Sequence, residues 1–306
     1  MTTKIMAVAN ARSLHPNEKD SLRRLLVDRL GRPLDFMITE RPDHATALTR
    51  RALQDGYDVI VAIGGDGSIN EVVNGFFEGN TPVRPEAVLG IVPHGTGNDL
   101  ARTLRIPKDP AQAARILRAD RRKVVDLGLA RFSSLDGETR QRFFINIAEF
   151  GAGGLAVSNL RLAPKIFNAR WKFLWAILMA SLQYRNQPLR YTIDDQAPVA
   201  VVVSNFVVAN GQFFGAGLRP APMAEMDDGR LDVVCFGDFG QWEMARRFRR
   251  LRKGTHLGHP KIFHGRAVKV SATAETAVLL ELDGDLVGRL PASFEIIPKT
   301  LQVCVP

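Results

Sequence analysis

Two short apolar runs in this chain each end in a glycine-rich polar loop that opens into a helix, and few folds accommodate that arrangement. The run Asp58-Val-Ile-Val-Ala-Ile63 is too short for a helix and rich in β-branched residues, so it reads as a buried parallel strand. Gly64-Gly-Asp-Gly-Ser-Ile-Asn-Glu71 follows directly. Glycines at 64, 65 and 67 let the chain turn tightly and let a ligand come close to the backbone. Ser68 with Glu71 three residues on predicts a capping box. The N–H groups and positive dipole of that helix end would face an anion such as phosphate. Asp66 would repel phosphate unless a metal sat between them, which points to Mg²⁺. Taken alone, the segment is also explained by a tight β–α turn with a surface aspartate.

A second loop makes the plain turn a poorer account. Ala87-Val-Leu-Gly-Ile-Val92 reads as another short strand, followed by Pro93-His-Gly-Thr-Gly-Asn-Asp99 and the helical Leu100-Ala-Arg-Thr-Leu104. Two such loops at carboxyl ends of strands would lie side by side on the ligand-binding edge of an open α/β sheet. Residues 1–128 alternate strand and helix throughout. Ile5–Ala9 and Leu34–Thr39 read as strands, Asn17–Leu30 as a helix with Leu22, Leu25, Leu26 and Leu30 on one face, and Asp43 as the cap of the next helix. Met1–Ala9 holds no leader-like or spanning stretch and reads as the first strand.

After Asp126 the texture changes. Phe143–Phe150, Val199–Ala209, Leu231–Phe236, Ala267–Ala272, Val278–Leu282 and Phe294–Ile297 read as strands with few helices between them, so a mainly antiparallel domain is expected over 129–298. The boundary is placed in the polar stretch Ser133–Glu138.

The net charge of +9 calls for a negative partner. No helix-turn-helix or aromatic-interleaved nucleic-acid signature is present, which leaves an anionic membrane surface. Arg246-Arg-Phe-Arg-Arg-Leu-Arg-Lys253, on a helix beginning near Gln241, fits an interfacial helix or a solvated basic face. Residues 161–185 place Arg161, Lys165, Arg170, Lys172 and Arg185 around Phe173–Leu182, an apolar run about half the ~20 residues that span a bilayer. Trp171 and Trp175 share a face there, as core residues or as interfacial anchors. Cys235 and Cys304 lie in apolar runs and fit buried thiols in a reducing cytoplasm. His256 and His259 have no further ligand at metal spacing, and no Walker A, nucleophile-elbow or zinc-helix motif occurs.

Gly64–Glu71 together with Pro93–Asp99 resembles the diacylglycerol kinase catalytic domain of the bacterial lipid kinase family, related to sphingosine and ceramide kinases. Ala224-Glu-Met-Asp-Asp-Gly-Arg-Leu-Asp-Val233 and Leu282-Asp-Gly-Asp285 are similar to that family's metal-loop and catalytic-base segments. The resemblance implies a Rossmann-like α/β domain of phosphofructokinase and NAD-kinase type, a C-terminal β-sandwich, and a last segment, 299–306, that returns to the first domain. It implies ATP as donor, held by Asn10, Thr39, Gly64, Gly65, Asp66, Gly67, Ser68, Ile69, Asn70, Glu71, Thr96, Gly97 and Asn98. Asp99, Arg102 and Asp126 match a charge network beside the nucleotide. The segment after Asn10 departs from the family, with Ala11 and Leu14 at usual Pro and Gly positions, so the contacts of Asn10, Arg12 and Ser13 stay open.

Asp285 matches the family's general base, usually Glu, with Asp283 as the competing carboxylate. Glu225, Asp228 and Arg230 match the ligands of a structural Mg²⁺ or Ca²⁺, beside the catalytic Mg²⁺ that travels with ATP; a plain Asp-Gly turn is the alternative there. The activity implied is transfer of γ-phosphate to a membrane lipid hydroxyl, diacylglycerol first, by a cytoplasmic enzyme peripheral to the inner membrane face. A homodimer is allowed by analogy. The rival readings are an NAD kinase or phosphofructokinase-type enzyme and a non-catalytic lipid- or nucleotide-binding regulator.

Overall fold

The computed structural model describes residues 3–11, 13–14, 18–164, 166–167 and 169–306; Arg12, Asn17 and Lys165, and the side chains of Arg161, Arg170, Phe173 and Leu174, lie outside what it describes. The chain divides into two compact units, Met1–Val125 with Lys299–Pro306, and Asp126–Pro298.

In the first unit the chain runs β1 (Ile5–Asn10), α1 (Lys19–Leu30), β2 (Asp35–Thr39), α2 (His44–Gln54), β3 (Val59–Gly64) and α3 (Asp66–Gly75). A short hairpin, β4 (Phe77–Glu78) and β5 (Thr81–Pro82), leads to β6 (Val88–Pro93), α4 (Asp99–Thr103) and α5 (Pro110–Ala119). The sheet is parallel in the order β6-β3-β1-β2, and Gln302 and Val303 add against Val88 and Leu89. All six residues of β3 and of β6 are buried, which is why both strands are unbroken apolar runs. The helix pairs α1–α5 and α2–α3 cover the sheet, with Leu22, Leu26 and Leu30 of α1 turned inward and Leu25 only half-buried. Because β1 lies between β2 and β3, the winding reverses between β1 and β3. That reversal is where an open α/β sheet forms its ligand crevice.

The second unit opens within β7 (Arg122–Ser134), and β8 (Thr139–Phe144) and β9 (Ile147–Gly151) precede α6 (Ala152–Leu162) and α7 (Ala169–Gln183). There follow β10 (Gln187–Ile193), β11 (Val199–Val203), β12 (Asn205–Ala209), β13 (Leu231–Phe236), α8 (Gln241–Lys253), β14 (Ile262–Ala267), β15 (Lys269–Ala274), β16 (Leu279–Leu282) and β17 (Asp285–Cys304). One set of strands runs β14-β13-β12-β9-β16-β17 and another β11-β10-β15-β17, each antiparallel throughout. The core between them is aromatic: Phe150 stacks on Phe206 with centroids 4.7 Å apart and on Phe294 at 6.0 Å. The expected mainly antiparallel second domain is therefore present.

Several expected elements are cut where polar groups intervene. Phe143–Phe150 is two strands, because the amides of Ile145, Asn146 and Ile147 all turn to the Asp283 carboxylate. Val199–Ala209 breaks at Ser204, whose N–H and hydroxyl both donate to Phe236 O, so β11 pairs with β10 while β12 joins β9 and β13. The helical stretch around 161–185 is α6 and α7, separated at Ala163, which Pro164 holds extended. Ser133–Glu138 is the connection of the β7–β8 hairpin, closed by Ser134 N–H on Glu138 O at 2.8 Å. Strands β7, β10 and β14 were not expected. Among the described residues no helix is long and apolar enough to cross a membrane.

Candidate active site

The two glycine loops of the first unit interlock. A Cβ on Gly95 would fall 2.5 Å from Gly65 Cα, so the backbones meet only because both residues lack side chains. Asp66 joins the loops chemically, its Oδ1 accepting Leu100 N–H at 2.9 Å at the start of α4. Its Oδ2 lies beside Gly97, where a Cβ would sit 2.9 Å from it and 3.1 Å from Asp99 Oδ2. One oxygen of Asp66 is thus a helix-end acceptor, a task the reading of it as a purely metal-facing carboxylate left out. Asn98, in the left-handed conformation (φ 52°), folds its Nδ2 onto Gly95 O at 2.7 Å. Asp99 is buried and paired with Arg102, and Thr96 is exposed.

Helix α3 begins at Asp66, two residues before the expected Ser68 cap, and Gly65 is its N-cap without a side-chain bond. Ser68 instead accepts Asn10 Nδ2 at 2.7 Å, a bond that bridges β1 to α3 at the winding reversal. Glu71 does not close a capping box on Ser68. Its carboxylate accepts Ala45 N–H at 3.3 Å, capping α2, where Asp43 adopts φ 60° and makes no side-chain cap. Packing of α2 on α3 puts Glu71 within reach of that helix end. Ile69 is fully buried and its N–H donates to Gly65 O at 3.0 Å, so neither its side chain nor its amide is offered to a ligand. The amides of Asp66, Gly67 and Ser68 fall in the first turn of α3 and have no intrahelical acceptor. Asn70 is fully buried, and Asn74 donates to both its carbonyl and its side-chain oxygen. Thr39 is buried with its hydroxyl accepting Ala11 N–H at 3.3 Å.

In the second unit Leu282 pairs with Asp285 across a two-residue turn in which Asp283 (φ 48°) and Gly284 (φ 90°) are both left-handed, the geometry that Asp-Gly hairpins adopt. The two carboxylates of this hairpin differ sharply. Asp283 is buried, with Oδ2 accepting Ile145 N–H at 2.9 Å and Oδ1 accepting Asn146 N–H at 3.0 Å and Ile147 N–H at 2.9 Å. Asp285 is part-exposed, 3.3 Å from Arg142 Nη2.

Asp126 belongs to this unit. Its Oδ2 accepts Gly229 N–H at 2.7 Å, and its carbonyl accepts Asn210 Nδ2, which also donates to Ile145 O. In loop 225–230, Asp228 Oδ1 accepts Arg230 N–H at 2.9 Å. Asp228 Oδ2 and Asp232 Oδ2 are buried without a hydrogen-bond donor, both within ion-pair reach of Arg266. Burial, then the Glu225 charge, raises the Asp232 pKa to about 6. An all-oxygen set of this kind suits a hard cation, although among the described residues no group of three His, Cys, Asp or Glu side chains is gathered as a metal site.

Sequence reasoning missed Arg142, Asn205, Asn210, Glu149 and Glu281. For the two glutamates a signal existed, a lone acid between apolar neighbours in Ala148-Glu149-Phe150 and Leu280-Glu281-Leu282. Both are buried and face each other in the β9–β16 register. Burial raises Glu149 to about 7, opposed by hydrogen bonds from Asn205 and Glu281. Burial, then the charges of Glu149 and Asp283, raises Glu281 well above the usual carboxylate range.

A parallel α/β unit with interlocked glycine loops at the carboxyl ends of β3 and β6, followed by an antiparallel β unit with a carboxylate-bearing hairpin, is the two-domain arrangement of diacylglycerol-kinase-type proteins. Residues 4–130 match the diacylglycerol kinase catalytic domain, and 152–305 match the YegS C-terminal NAD kinase beta sandwich-like domain. The diacylglycerol kinase of Staphylococcus haemolyticus is 30% identical over 282 residues, covering 92% of this chain and 81% of that protein. That of Staphylococcus aureus strain JH9 is 29% identical, covering 92% and 84%. The chain belongs to the diacylglycerol kinase family. Among solved structures, a diacylglycerol kinase from Bacillus anthracis str. Sterne superimposes with a TM-score of 0.71 at 20% identity, covering 99% of this chain and 97% of that one, a likeness of fold.

Proposed function

We propose that the chain transfers the γ-phosphoryl group of ATP to the hydroxyl of a membrane lipid, with diacylglycerol as acceptor and phosphatidic acid as product. The observation that carries this reading is the division of labour on one turn. Asp283 is committed to three backbone amides, which leaves Asp285 as the carboxylate with room for a substrate hydroxyl.

Phosphoryl transfer asks for positioning, charge neutralisation and one proton acceptor. The amides of Asp66, Gly67 and Ser68 bind phosphate oxygens, and Asn10 fixes Ser68 from the neighbouring strand. The gap that Gly97 leaves beside Asp66 Oδ2 and Asp99 Oδ2 is lined by the oxygen donors that Mg²⁺ takes, so these residues would hold the metal of the nucleotide. Bound there, Mg²⁺ supplies neutralisation of phosphate charge. Asp285 accepts the proton of the attacking hydroxyl while Arg142 orients it. Asp228, with main-chain oxygens of Glu225 and Arg230, would hold a structural cation in exchange for Arg266.

Contact with lipid falls to two helix faces in this reading. On α7, Trp171, Leu178 and Leu182 are 60%, 55% and 59% exposed, and with Trp175 they recur at helical spacing along one stripe. On α8, the 82% exposed Trp242 shares a face with Arg246 and Arg250, the pattern of an interfacial helix at an anionic surface.

The test is transfer of labelled γ-phosphate from ATP to a panel of lipid alcohols in mixed micelles, with wild type and Asp285→Asn side by side. A phosphorylated lipid that is lost in the variant is the expected result. Label moving instead to NAD or a sugar phosphate, independent of micelles, would overturn the lipid reading.

A further inference from the structure

Behind the Asp285 hairpin lies a polar assembly that phosphoryl transfer as described does not use. Alternation along β9 and β16 sends Ala148, Phe150, Leu280 and Leu282 into the sandwich core and Glu149 and Glu281 to the opposite face. There the first turn of α6 closes over them. Asn205 Nδ2 donates to Glu149 Oε2 at 2.6 Å, and Gly153 N–H donates to Asn205 Oδ1 at 3.1 Å. A Cβ on Gly153 would fall 2.1 Å from the Glu149 carboxyl carbon, so the helix seats on the acid only because that position is glycine. On the other side Glu281 Oε2 accepts Gly284 N–H at 2.8 Å. Gly284 is the residue immediately before Asp285.

We propose that the Glu149–Glu281 pair is the positioning element of the Asp285 base, Glu281 holding through Gly284 N–H the turn that presents the catalytic carboxylate. The proposal rests on Asp285 being that base. Two carboxyl groups facing each other in a buried sheet are a poor way to gain stability, since an apolar pair of similar volume would serve at least as well. They are compatible only when a proton lies between them. Burial raises both acids, and the Glu149 charge raises Glu281 further, which favours Glu281 as the member that carries the proton and donates it to Glu149.

The hydrogen bonds then form a directed chain. Asn205 and Glu281 donate to Glu149, Gly284 donates to Glu281, and the α6 N-terminus favours the negative end. Among the described residues, the other charged or titratable side chains near the pair include Asp283 and Asp285 on the hairpin, Arg142 against Asp285, and the Tyr184 hydroxyl near Gly151. Tyr184 is held neutral by burial, its pKa near 12. Asp283 anchors the hairpin through its side chain and Glu281 through its backbone, so Asp285 is fixed from two directions. A displacement of about 1 Å at a reacting group is enough to cost on the order of 100-fold in rate.

The experiment is steady-state phosphorylation of dioctanoylglycerol in mixed micelles by Glu281→Gln, Glu281→Leu, Glu281→Asp and Asp285→Asn, with kcat and KM for both substrates. Glutamine keeps an acceptor for Gly284 and a donor for Glu149, so it retains kcat within about threefold of wild type. Leucine removes both bonds and lowers kcat by about 100-fold with both KM values unchanged. Aspartate is one methylene too short for both partners and loses kcat likewise, which decides the matter should the leucine variant fail to fold. Wild-type kcat in folded Glu281→Leu, or equal loss in the glutamine and leucine variants, would overturn the proposal. An inactive Asp285→Asn beside a fully active Glu281→Leu removes this proposal and leaves the base assignment standing. A fully active Asp285→Asn removes both.

Discussion

Replacing Asp283 with asparagine separates the two carboxylates of the hairpin by stability. In the folded protein Oδ1 receives two backbone amides and Oδ2 one, at 2.9–3.0 Å, in a buried setting. Asparagine can keep a carbonyl oxygen toward Asn146 and Ile147, but its amide then meets the Ile145 N–H donor to donor. The substitution forfeits one charge-assisted bond and weakens two others to neutral bonds, a loss of about 3–5 kcal/mol. For a unit of this size that lowers Tm by about 10 °C. Calorimetry and urea unfolding of Asp283→Asn and Asp285→Asn measure it, with phosphoryl transfer followed in parallel. Asp285, part-exposed with one ion pair, is expected to change Tm little and to abolish transfer. If Asp283→Asn unfolds within about 0.5 kcal/mol of wild type and loses transfer while Asp285→Asn keeps both, the hairpin has been read the wrong way round.

Gly95→Ala must push a methyl group to 2.5 Å from Gly65 Cα, so the glycine loops separate and the KM for ATP rises by at least about tenfold, read by nucleotide titration. The raised Glu149 pKa means the folded state binds its proton more tightly than the unfolded chain, so stability falls as pH rises from about 4.5 to about 7 and then levels. Between those values the group contributes on the order of 3 kcal/mol, and denaturation of Glu149→Gln at pH 5 and pH 8 should show that much less slope. Burial raises the Cys235 and Cys304 thiols to about 12 and about 11, so a disulfide reagent should label neither cysteine until the protein is unfolded. Reversing charge with Arg246→Glu and Arg250→Glu should weaken co-sedimentation with phosphatidylglycerol vesicles by at least about tenfold and leave zwitterionic vesicles unaffected.

The elements legible in the sequence are those whose signal is local. The β3 and β6 runs announce buried parallel strands because every residue in them is apolar, and no partner needs to be known to read that. Asp283-Gly284 announces its hairpin because few dipeptides tolerate two left-handed residues in succession. The second unit was less legible, because its strands end where a distant side chain intervenes. Nothing near Ile145 reveals that its amide turns to Asp283, 138 positions away.

The same division runs through the site. That two glycine loops follow buried strands, and that an Asp-Gly turn carries one carboxylate and is followed at once by another, is legible in the residues alone, since backbone freedom and charge are properties of single residues. What each acid does was settled by packing. Asp66 ties one loop to the helix of the other, Glu71 caps a neighbouring helix, Asp283 is spent on backbone amides, and Glu281 braces the turn from behind. A carboxylate looks the same in any sequence. Its role depends on which donors the fold brings within 3 Å and how much water it removes.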